Sequence, residues 1–260
     1  MISFIIPAYN EEALIGRTLE AINRAALNLD EPYEIVVTDD ASSDQTAAIA
    51  EAHGARVIRV NLRQIAAARN AGAREARGNR LIFVDADTVI NEAVVRAALE
   101  AMNRGAAGGG SAVKFDGQVP RYAEFIQPVL VRLFRASGLA CGCFLFCTRE
   151  AFDAAGGFDE ALFASEEIGM SQALKRQGRF VVVRQSVTTS GRKLRMYSGK
   201  QVLLIVSRIL LAGPKALKNR ERLDLWYSGR RDDPEFAPVK LDGALVTTVN
   251  DQVPLPQTGN

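Results

Sequence analysis

The sequence predicts an α/β fold with a mostly parallel central sheet flanked by helices. Through about residue 115, short β-rich apolar runs alternate with amphipathic helical stretches, the pattern of strands joined by helical crossovers. The run Leu81 to Val84 is continuously apolar, as a strand covered on both faces must be. A chain of 260 residues, 48% hydrophobic and 24% charged, is large enough to bury a substantial core as one domain, or as one with a small appendage.

Taken in order, Ile2 to Ile6 reads as the first strand, and Asn10 as the N-cap of a helix with the apolar stripe Ile15, Leu19, Ile22 and Ala26. Glu34 to Thr38 is the second strand. Ser42 and Gln45 have capping-box spacing, predicting a helix from Ser43 to about His53, and Arg56 to Val60 returns as a strand. A helix over Gln64 to Ala76 follows, then the strand Leu81 to Val84, then a helix carrying Val94, Val95, Ala98, Leu99 and Met102. Beyond residue 115 the alternation loosens: a helical pattern from Val119 to Ala136, a strand from Cys143 to Cys147, a helix ending at Gly156-Gly157, and a helix over Glu166 to Gln177.

Composition narrows the function classes. With 32 Lys+Arg against 30 Asp+Glu the formal charge is +2, which excludes the basic excess of a nucleic-acid partner. The three cysteines, Cys141, Cys143 and Cys147, are odd in number and crowded, which fits a reducing compartment and hence a cytoplasmic location. They alternate with apolar residues like small buried side chains on a strand, and a zinc site lacks an obvious fourth ligand nearby. Residues 1–7 have no cationic flank or cleavage site, and Val202 to Ala212 is too short to cross a bilayer of ~30 Å, so a soluble or peripherally attached protein is expected.

In a parallel sheet the ligand sits beyond the C-terminal strand ends, which makes acids there the first functional candidates. Two clusters qualify, Asp39-Asp40-Ala41-Ser42-Ser43-Asp44 and Asp85-Ala86-Asp87. Crowded carboxylates repel unless a cation or hydrogen-bond donors stabilise them, and two acids one residue apart can direct oxygens toward one hard cation, leaving positions for water and phosphate. Asp and Ser are also ordinary turn formers and helix caps, so the residue types alone leave both readings open. The chain lacks Gly-x-Gly-x-x-Gly after the first strand, where Pro7-Ala8-Tyr9-Asn10 stands, which disfavours a Rossmann-type cofactor enzyme. Gly108-Gly109-Gly110 is not followed by Lys-Ser/Thr and reads as a flexible or tightly packed backbone segment.

Four segments in order resemble family 2 glycosyltransferases: Ile5-Ile6-Pro7-Ala8-Tyr9-Asn10-Glu11-Glu12, Val37-Thr38-Asp39-Asp40-Ala41-Ser42-Ser43-Asp44-Gln45-Thr46, Ala68-Arg69-Asn70-Ala71-Gly72 and Phe83-Val84-Asp85-Ala86-Asp87. Gly156-Gly157-Phe158-Asp159-Glu160 with Ser165-Glu166-Glu167 extends the likeness to about residue 190, as an acceptor-side segment. The resemblance implies the GT-A (nucleotide-diphospho-sugar transferase) fold over 1–195, with a nucleotide-sugar-binding half (1–115) and an acceptor-side half (116–195). It also implies a nucleotide-sugar donor, with a UDP-sugar favoured, a divalent metal (magnesium or manganese) and inversion at the anomeric carbon.

Carried over by position, Pro7, Ala8, Tyr9 and Glu11 line the nucleoside pocket and Asp39 or Asp40 contacts the base. Asp87 with Asp85 holds the metal on the donor diphosphate, and Arg69 lies near the donor. Glu166-Glu167 departs from the family's usual Glu-Asp: Glu167 matches the proton-accepting Asp, and either it or Glu166 is the base. The departure motivates a second reading, a catalytically inactive nucleotide-sugar-binding protein of the same fold. Arg192, in a basic loop after the last apolar run, is placed to close over the diphosphate. No Gln-x-x-Arg-Trp motif follows, which argues for transfer of a single sugar in glycan or glycolipid biosynthesis and against processive synthesis.

Near the C-terminus, 196–231 reads as two basic amphipathic helices divided by Gly213-Pro214. They suit contact with an anionic membrane inner face and a lipid-linked hydroxyl acceptor, or packing on the domain, or a homodimer. Residues 232–260 carry Pro234, Pro238, Pro254 and Pro256 and read as a poorly ordered tail. Phe115, Tyr122, Phe125, Phe134, Phe144, Phe146 and Phe163 supply apolar bulk to the acceptor half, with core packing as their ordinary role. His53, the only histidine, is expected at a helix C-terminus on the surface.

Overall fold

The alternating runs become strands and helices in the computed structural model, which describes residues 1–29, 31–120, 122, 132, 137–140, 142–196, 239–241 and 244–246. The expected helices within 196–231 and most of the 232–260 tail lie outside the described residues, as do Phe125, Phe134 and Cys141. The first half runs β1 (Ile2–Ala8), α1 (Ile15–Ala26), β2 (Tyr33–Asp40), α2 (Thr46–Ala52), β3 (Arg56–Val60), α3 (Ile65–Glu75), β4 (Arg80–Val84), β5 (Thr88–Val89), α4 (Glu92–Asn103) and β6 (Ala106–Phe115). Then come β7 (Phe144–Thr148), α5 (Arg149–Ala155), α6 (Glu166–Gln177), β8 (Arg179–Thr189) and α7 (Arg192–Met196). A separate antiparallel pair, β9 (Val239–Leu241) with β10 (Ala244–Val246), falls in the C-terminal segment.

One eight-stranded sheet has the order β3-β2-β1-β4-β7-β6-β8-β5. The pairs β1/β2, β2/β3, β1/β4 and β6/β8 are parallel, and β7 runs antiparallel to both β4 and β6. Strand order reverses at β1, with β2 and β3 on one side and β4 on the other, so a crevice opens beyond the C-terminal ends of β1 and β4. Both acidic clusters fall at that edge.

Successive β1 side chains point to opposite faces, and the two cores follow from it. Phe4 and Ile6 pack with Ile15, Leu19 and Ile22 of α1 and with Val94, Val95 and Ala98 of α4. Ile5 faces Ala66 and Ala73 of α3, in a cluster that continues through Phe83, Phe152, Phe158, Met170 and Leu174. Five of the eight buried residues of helix α3 are alanines, and its Gly72 allows a very close approach: a Cβ there would lie 2.6 Å from Thr38 Oγ1 and 2.7 Å from Ile5 Cγ2. That closeness sets the depth at which Arg69, one turn earlier, enters the molecule.

Several local expectations are corrected. Asn10 does not cap α1, which begins at Ile15 after Leu14; Asn10 has φ +50° and turns its side chain to the neighbouring loop. No capping box forms at Ser42 and Gln45, because Asp44 Oδ1 accepts the Thr46 N–H at 3.0 Å and α2 starts at Thr46. Strand β2 extends through Asp39 and Asp40. His53 is half-buried, with Nδ1 2.8 Å from the Ile49 carbonyl oxygen. Asn91 and Thr148, unremarked in the sequence, cap α4 and α5 through their side chains.

Cys143 and Cys147 are buried, as their alternation predicts. The glycine triplet lies in β6 and is tightly packed: a Cβ on Gly109 would meet the Val181 carbonyl oxygen at 2.0 Å and Phe146 Cζ at 2.4 Å. The backbone on one side cannot yield, so Gly109→Ala should cost about 3 kcal/mol in urea unfolding. A change within about 0.5 kcal/mol, the range of a neutral surface substitution, would contradict this packing.

Candidate functional site

The loops leaving β1 and β2 interlace at the crevice. Asn10 N–H donates to Ser42 Oγ at 3.0 Å, and Asn10 Oδ1 accepts the Ser43 N–H at 2.8 Å. Glu11 N–H donates to Thr46 Oγ1 at 2.8 Å, while Glu12 N–H donates to Asp44 Oδ2 at 3.2 Å and Glu12 Oε2 accepts the Gln45 N–H at 3.0 Å. Pro7 and Ala8 end β1 beside Thr38 and Asp39, their partners in register. Tyr9 extends past the strand, and the Arg63 guanidinium lies 3.5 Å from its ring centroid.

The two acids of β2 have different work. Asp40 Oδ1 accepts the N–H groups of Leu62 and Arg63 at 2.6 and 2.8 Å, and Oδ2 that of Gln64 at 3.0 Å, holding the turn into α3. Asp39 accepts one backbone bond through Oδ1, from Ser42 N–H at 3.2 Å.

Beyond β4 the chain turns at once, with Thr88 N–H donating to the Asp85 carbonyl at 3.0 Å, and this turn carries both Asp85 and Asp87. Arg69 reaches it from α3. Its side chain is 2% exposed; Nη2 donates to Asp85 Oδ1 at 2.7 Å and to the Gly142 carbonyl at 3.0 Å, and Nη1 to Glu166 Oε1 at 2.6 Å. Asp87 faces another buried guanidinium: Arg192 Nη2 lies 2.9 and 3.0 Å from the Glu11 carboxylate oxygens and 3.8 Å from Asp87 Oδ2. Thr189 Oγ1 donates to Asp87 Oδ1 at 3.2 Å.

Glu166 and Glu167 open α6 after Ser165, whose φ of +60° places a non-glycine residue in the left-handed region, a strain that occurs at functional turns. Glu166 is committed to Arg69. Glu167 lies against Gly142, where a Cβ would come within 3.0 Å of its Oε1. Burial, reinforced by the Glu166 charge, pushes the Glu167 carboxyl up to about 8, against the pull of Arg69. Burial pulls the Arg69 guanidinium down, but Asp85, Glu166 and Glu167 outweigh it and hold it above its ordinary value.

The structure thus brings Asp85, Arg69, Glu166 and Glu167 into one charged group, and Asp87, Arg192 and Glu11 into another beside it. Arg192, expected in an open basic loop, is 3% exposed. Sequence reading missed Thr189, Gly142 and Arg63. Only Arg63 had a local signal, a long cation just before a helix; the others contribute a hydroxyl or a carbonyl that any residue pattern could hide. Among the described residues no group of three or more His, Cys, Asp or Glu is gathered around one metal position. Asp85 and Asp87 nevertheless offer the hard carboxylate oxygens that suit magnesium or manganese, whose usual sites use one or two carboxylates and complete the shell with phosphate and water.

Removing the Arg69 cation would strand Glu166, whose side chain is 5% exposed. Arg69→Met should therefore destabilise the fold by about 3–5 kcal/mol in urea unfolding at pH 8, and a loss under about 1 kcal/mol would show that the pair does not hold these loops together.

The family model described as "Glycosyl transferase family 2" matches residues 3–152. The undecaprenyl-phosphate 4-deoxy-4-formamido-L-arabinose transferase of Pseudomonas aeruginosa is 39% identical over 94 residues, 34% of this chain and 28% of that protein. The validoxylamine A glucosyltransferase of Streptomyces hygroscopicus subsp. jinggangensis is 36% identical over 107 residues, 39% of this chain and 25% of that protein. The match thus spans about a quarter of the length of these curated relatives. Among solved structures, the Pyrobaculum calidifontis mannosyltransferase in complex with GDP-Man and Mn2+ has a TM-score of 0.61 at 20% identity, covering 80% of this chain and 60% of that one. The glucosyl-3-phosphoglycerate synthase of Mycobacterium tuberculosis in complex with Mn2+, UDP and glucosyl-3-phosphoglycerate has a TM-score of 0.57 at 21% identity, covering 82% and 77%. These likenesses give the fold, GT-A, and the family match covers more than half of the chain. The chain belongs to glycosyl transferase family 2.

Proposed function

We propose that this protein is a metal-dependent inverting glycosyltransferase that moves one sugar from a nucleotide-sugar donor, a UDP-sugar by preference, to an acceptor hydroxyl. The observation that carries the reading is the Arg69 bridge, which ties Asp85, on the donor-side turn, to the helix that presents Glu167. A transferase needs these two functions side by side, charge stabilisation at the leaving diphosphate and a base at the incoming hydroxyl.

In this reading Tyr9 and the interlaced loops bind the nucleoside. Asp39 accepts from a base N–H, whereas Asp40 is occupied by three backbone donors. Asp87 and Asp85 would hold the divalent cation, which when bound supplies positive charge against the diphosphate. Arg192 adds a fixed cation beside the phosphates. Glu167 takes the proton from the acceptor hydroxyl; the oxygen forms its bond to the anomeric carbon from the face opposite the diphosphate, and the carbon–oxygen bond to the diphosphate breaks. The configuration inverts, and the nucleoside diphosphate leaves with the bonding electrons. Glu166 anchors α6 through Arg69, so Glu167 is the base of the two.

A lipid-linked acceptor has support from the undecaprenyl-phosphate named in the Pseudomonas relative, a lipid that itself offers a phosphate oxygen where the present reading takes a hydroxyl. Among the described residues no helix is long and apolar enough to cross a membrane. Peripheral contact with the inner membrane face through the basic segment 199–222, and a homodimer, belong to the same proposal.

Calorimetric titration of UDP with and without manganese tests the donor site: metal-dependent binding should be lost in Asp87→Asn. Binding unaffected by metal and by this substitution would overturn the metal role. Glu167→Gln should lower kcat by about 10²–10⁴-fold. A base pushed up to about 8 in the free protein also predicts that kcat/KM climbs about tenfold per pH unit up to pH 8 and then levels. A flat profile from pH 6 to 9 would remove Glu167 from that role, and donor binding without turnover on any acceptor would favour the inactive-binder reading.

A further inference from the structure

Strands β6 and β8 end together, with Phe115 opposite Thr189 in register. Asp116, the residue after β6, then holds one side of the turn after β8. Its N–H donates to the Thr189 carbonyl at 2.9 Å, and its Oδ1 accepts the Gly191 N–H at 2.8 Å. Arg195 closes over it, with Nη1 donating to the Asp116 carbonyl at 2.8 Å and Nη2 3.5 Å from Oδ1. Arg17 Nη1, half exposed on α1, lies 3.3 Å from Oδ2.

The other side of the same turn is fastened to the acidic motif. Ser190 N–H donates to the Asp87 carbonyl at 3.1 Å, and Arg192 N–H donates to Ser190 Oγ at 3.2 Å. Gly191 sits at the centre, where a Cβ would meet Arg195 Nη1 at 2.6 Å and the Asp116 carbonyl oxygen at 2.7 Å. The backbone is confined between these groups, and the next residue, Arg192, pairs with Glu11 and Asp87.

We propose that Asp116 is a positioning residue for the donor site, latching the turn Thr189 to Arg195 so that the Arg192 guanidinium stands where a nucleoside diphosphate's phosphates bind. The inference rests on the donor-site reading above. Asp116 touches neither Glu11 nor Asp87 through its own side chain, so its effect passes through Arg192. A long arginine side chain has many rotamers, and a fixed backbone origin together with the pairing of Nη2 to both Glu11 oxygens selects one of them. The latch therefore acts directly on the phosphates and reaches the nucleoside pocket, built by the β1 and β2 loops, only through Glu11. A group that merely stapled the sheet edge would have no such selectivity.

The test is calorimetric titration of the full chain with uridine and with UDP plus manganese. Arg192→Ala should weaken UDP by about tenfold and uridine by less than about threefold, Asp116→Ala should do the same, and the double variant should be no weaker than Arg192→Ala alone. Asp116→Asn keeps an acceptor for the Gly191 N–H and should stay within about threefold of wild type. If Asp116→Ala does not fold, Gly191→Ala displaces the turn from the other side and should reproduce the selective loss. Equal losses for uridine and UDP, additivity with Arg192→Ala, or full UDP affinity in both Asp116→Ala and Gly191→Ala would overturn the latch alone. Failure of the wild-type protein to bind UDP with manganese would overturn the donor-site reading and the latch with it.

Discussion

A guanidinium buried to 2% exposure needs counter-charges beside it, and the site is organised around how Arg69 finds them through its Nη atoms, its Nε having no hydrogen-bond partner among the described residues. Its two Nη atoms reach Asp85 on the turn after β4, the Gly142 carbonyl before β7, and Glu166 at the start of α6. Three segments far apart in the chain are thereby held at fixed separations. An ion pair of this kind contributes little net stability, because desolvation offsets the attraction; what it specifies is geometry. Lysine would not reproduce this geometry, since one ammonium nitrogen cannot donate from the two separated, coplanar positions from which Nη1 and Nη2 reach Glu166 and Asp85.

The depth of Arg69 is itself a packing result. Helix α3 lies so close to β1 and β2 that Gly72 meets Thr38 and Ile5 almost at contact, and the alanines around it keep the helix low on the sheet. Asn70 extends the same device outward, exchanging bonds of 2.9 Å with the backbone N–H and carbonyl of Phe158. Phe158 then packs edge-on against Phe83 with ring centroids 5.0 Å apart. The arginine that joins donor and acceptor sides and the asparagine that seats the loop before α6 are neighbours in sequence because one helix turn serves both.

Around this anchor the charges are arranged as cations between acids: Arg69 between Asp85 and Glu166, and Arg192 between Glu11 and Asp87. Glu167 stands outside the pairing, raised by burial and by the Glu166 charge. The difference between adjacent glutamates is produced by the helix, which at one position turns the side chain toward Arg69 and at the next toward Gly142. The family model ends at residue 152, so Glu166, Glu167 and Arg192 lie beyond the matched segment.

The strand and helix sequence through residue 115 was legible because burial on both faces of a parallel sheet writes itself as apolar runs, and crossover helices as amphipathic stripes. The acids at the ends of β2 and β4 were legible for the same reason, since a turn at the C-terminal edge of a strand is visible as a break in the apolar run. Helix starts were less so: Asn10 and Ser42 carry the side chains of caps, yet each is used by the facing loop, a contact between segments some thirty residues apart that no local pattern encodes. Nor could the sequence separate Asp39 from Asp40 or Glu166 from Glu167, because each pair has the same chemistry at adjacent positions. Tertiary structure decided both pairs by direction, sending Asp40 to three backbone donors and Glu166 to Arg69, since what a carboxylate does depends on which hydrogen-bond donors surround it and those arrive from elsewhere in the chain.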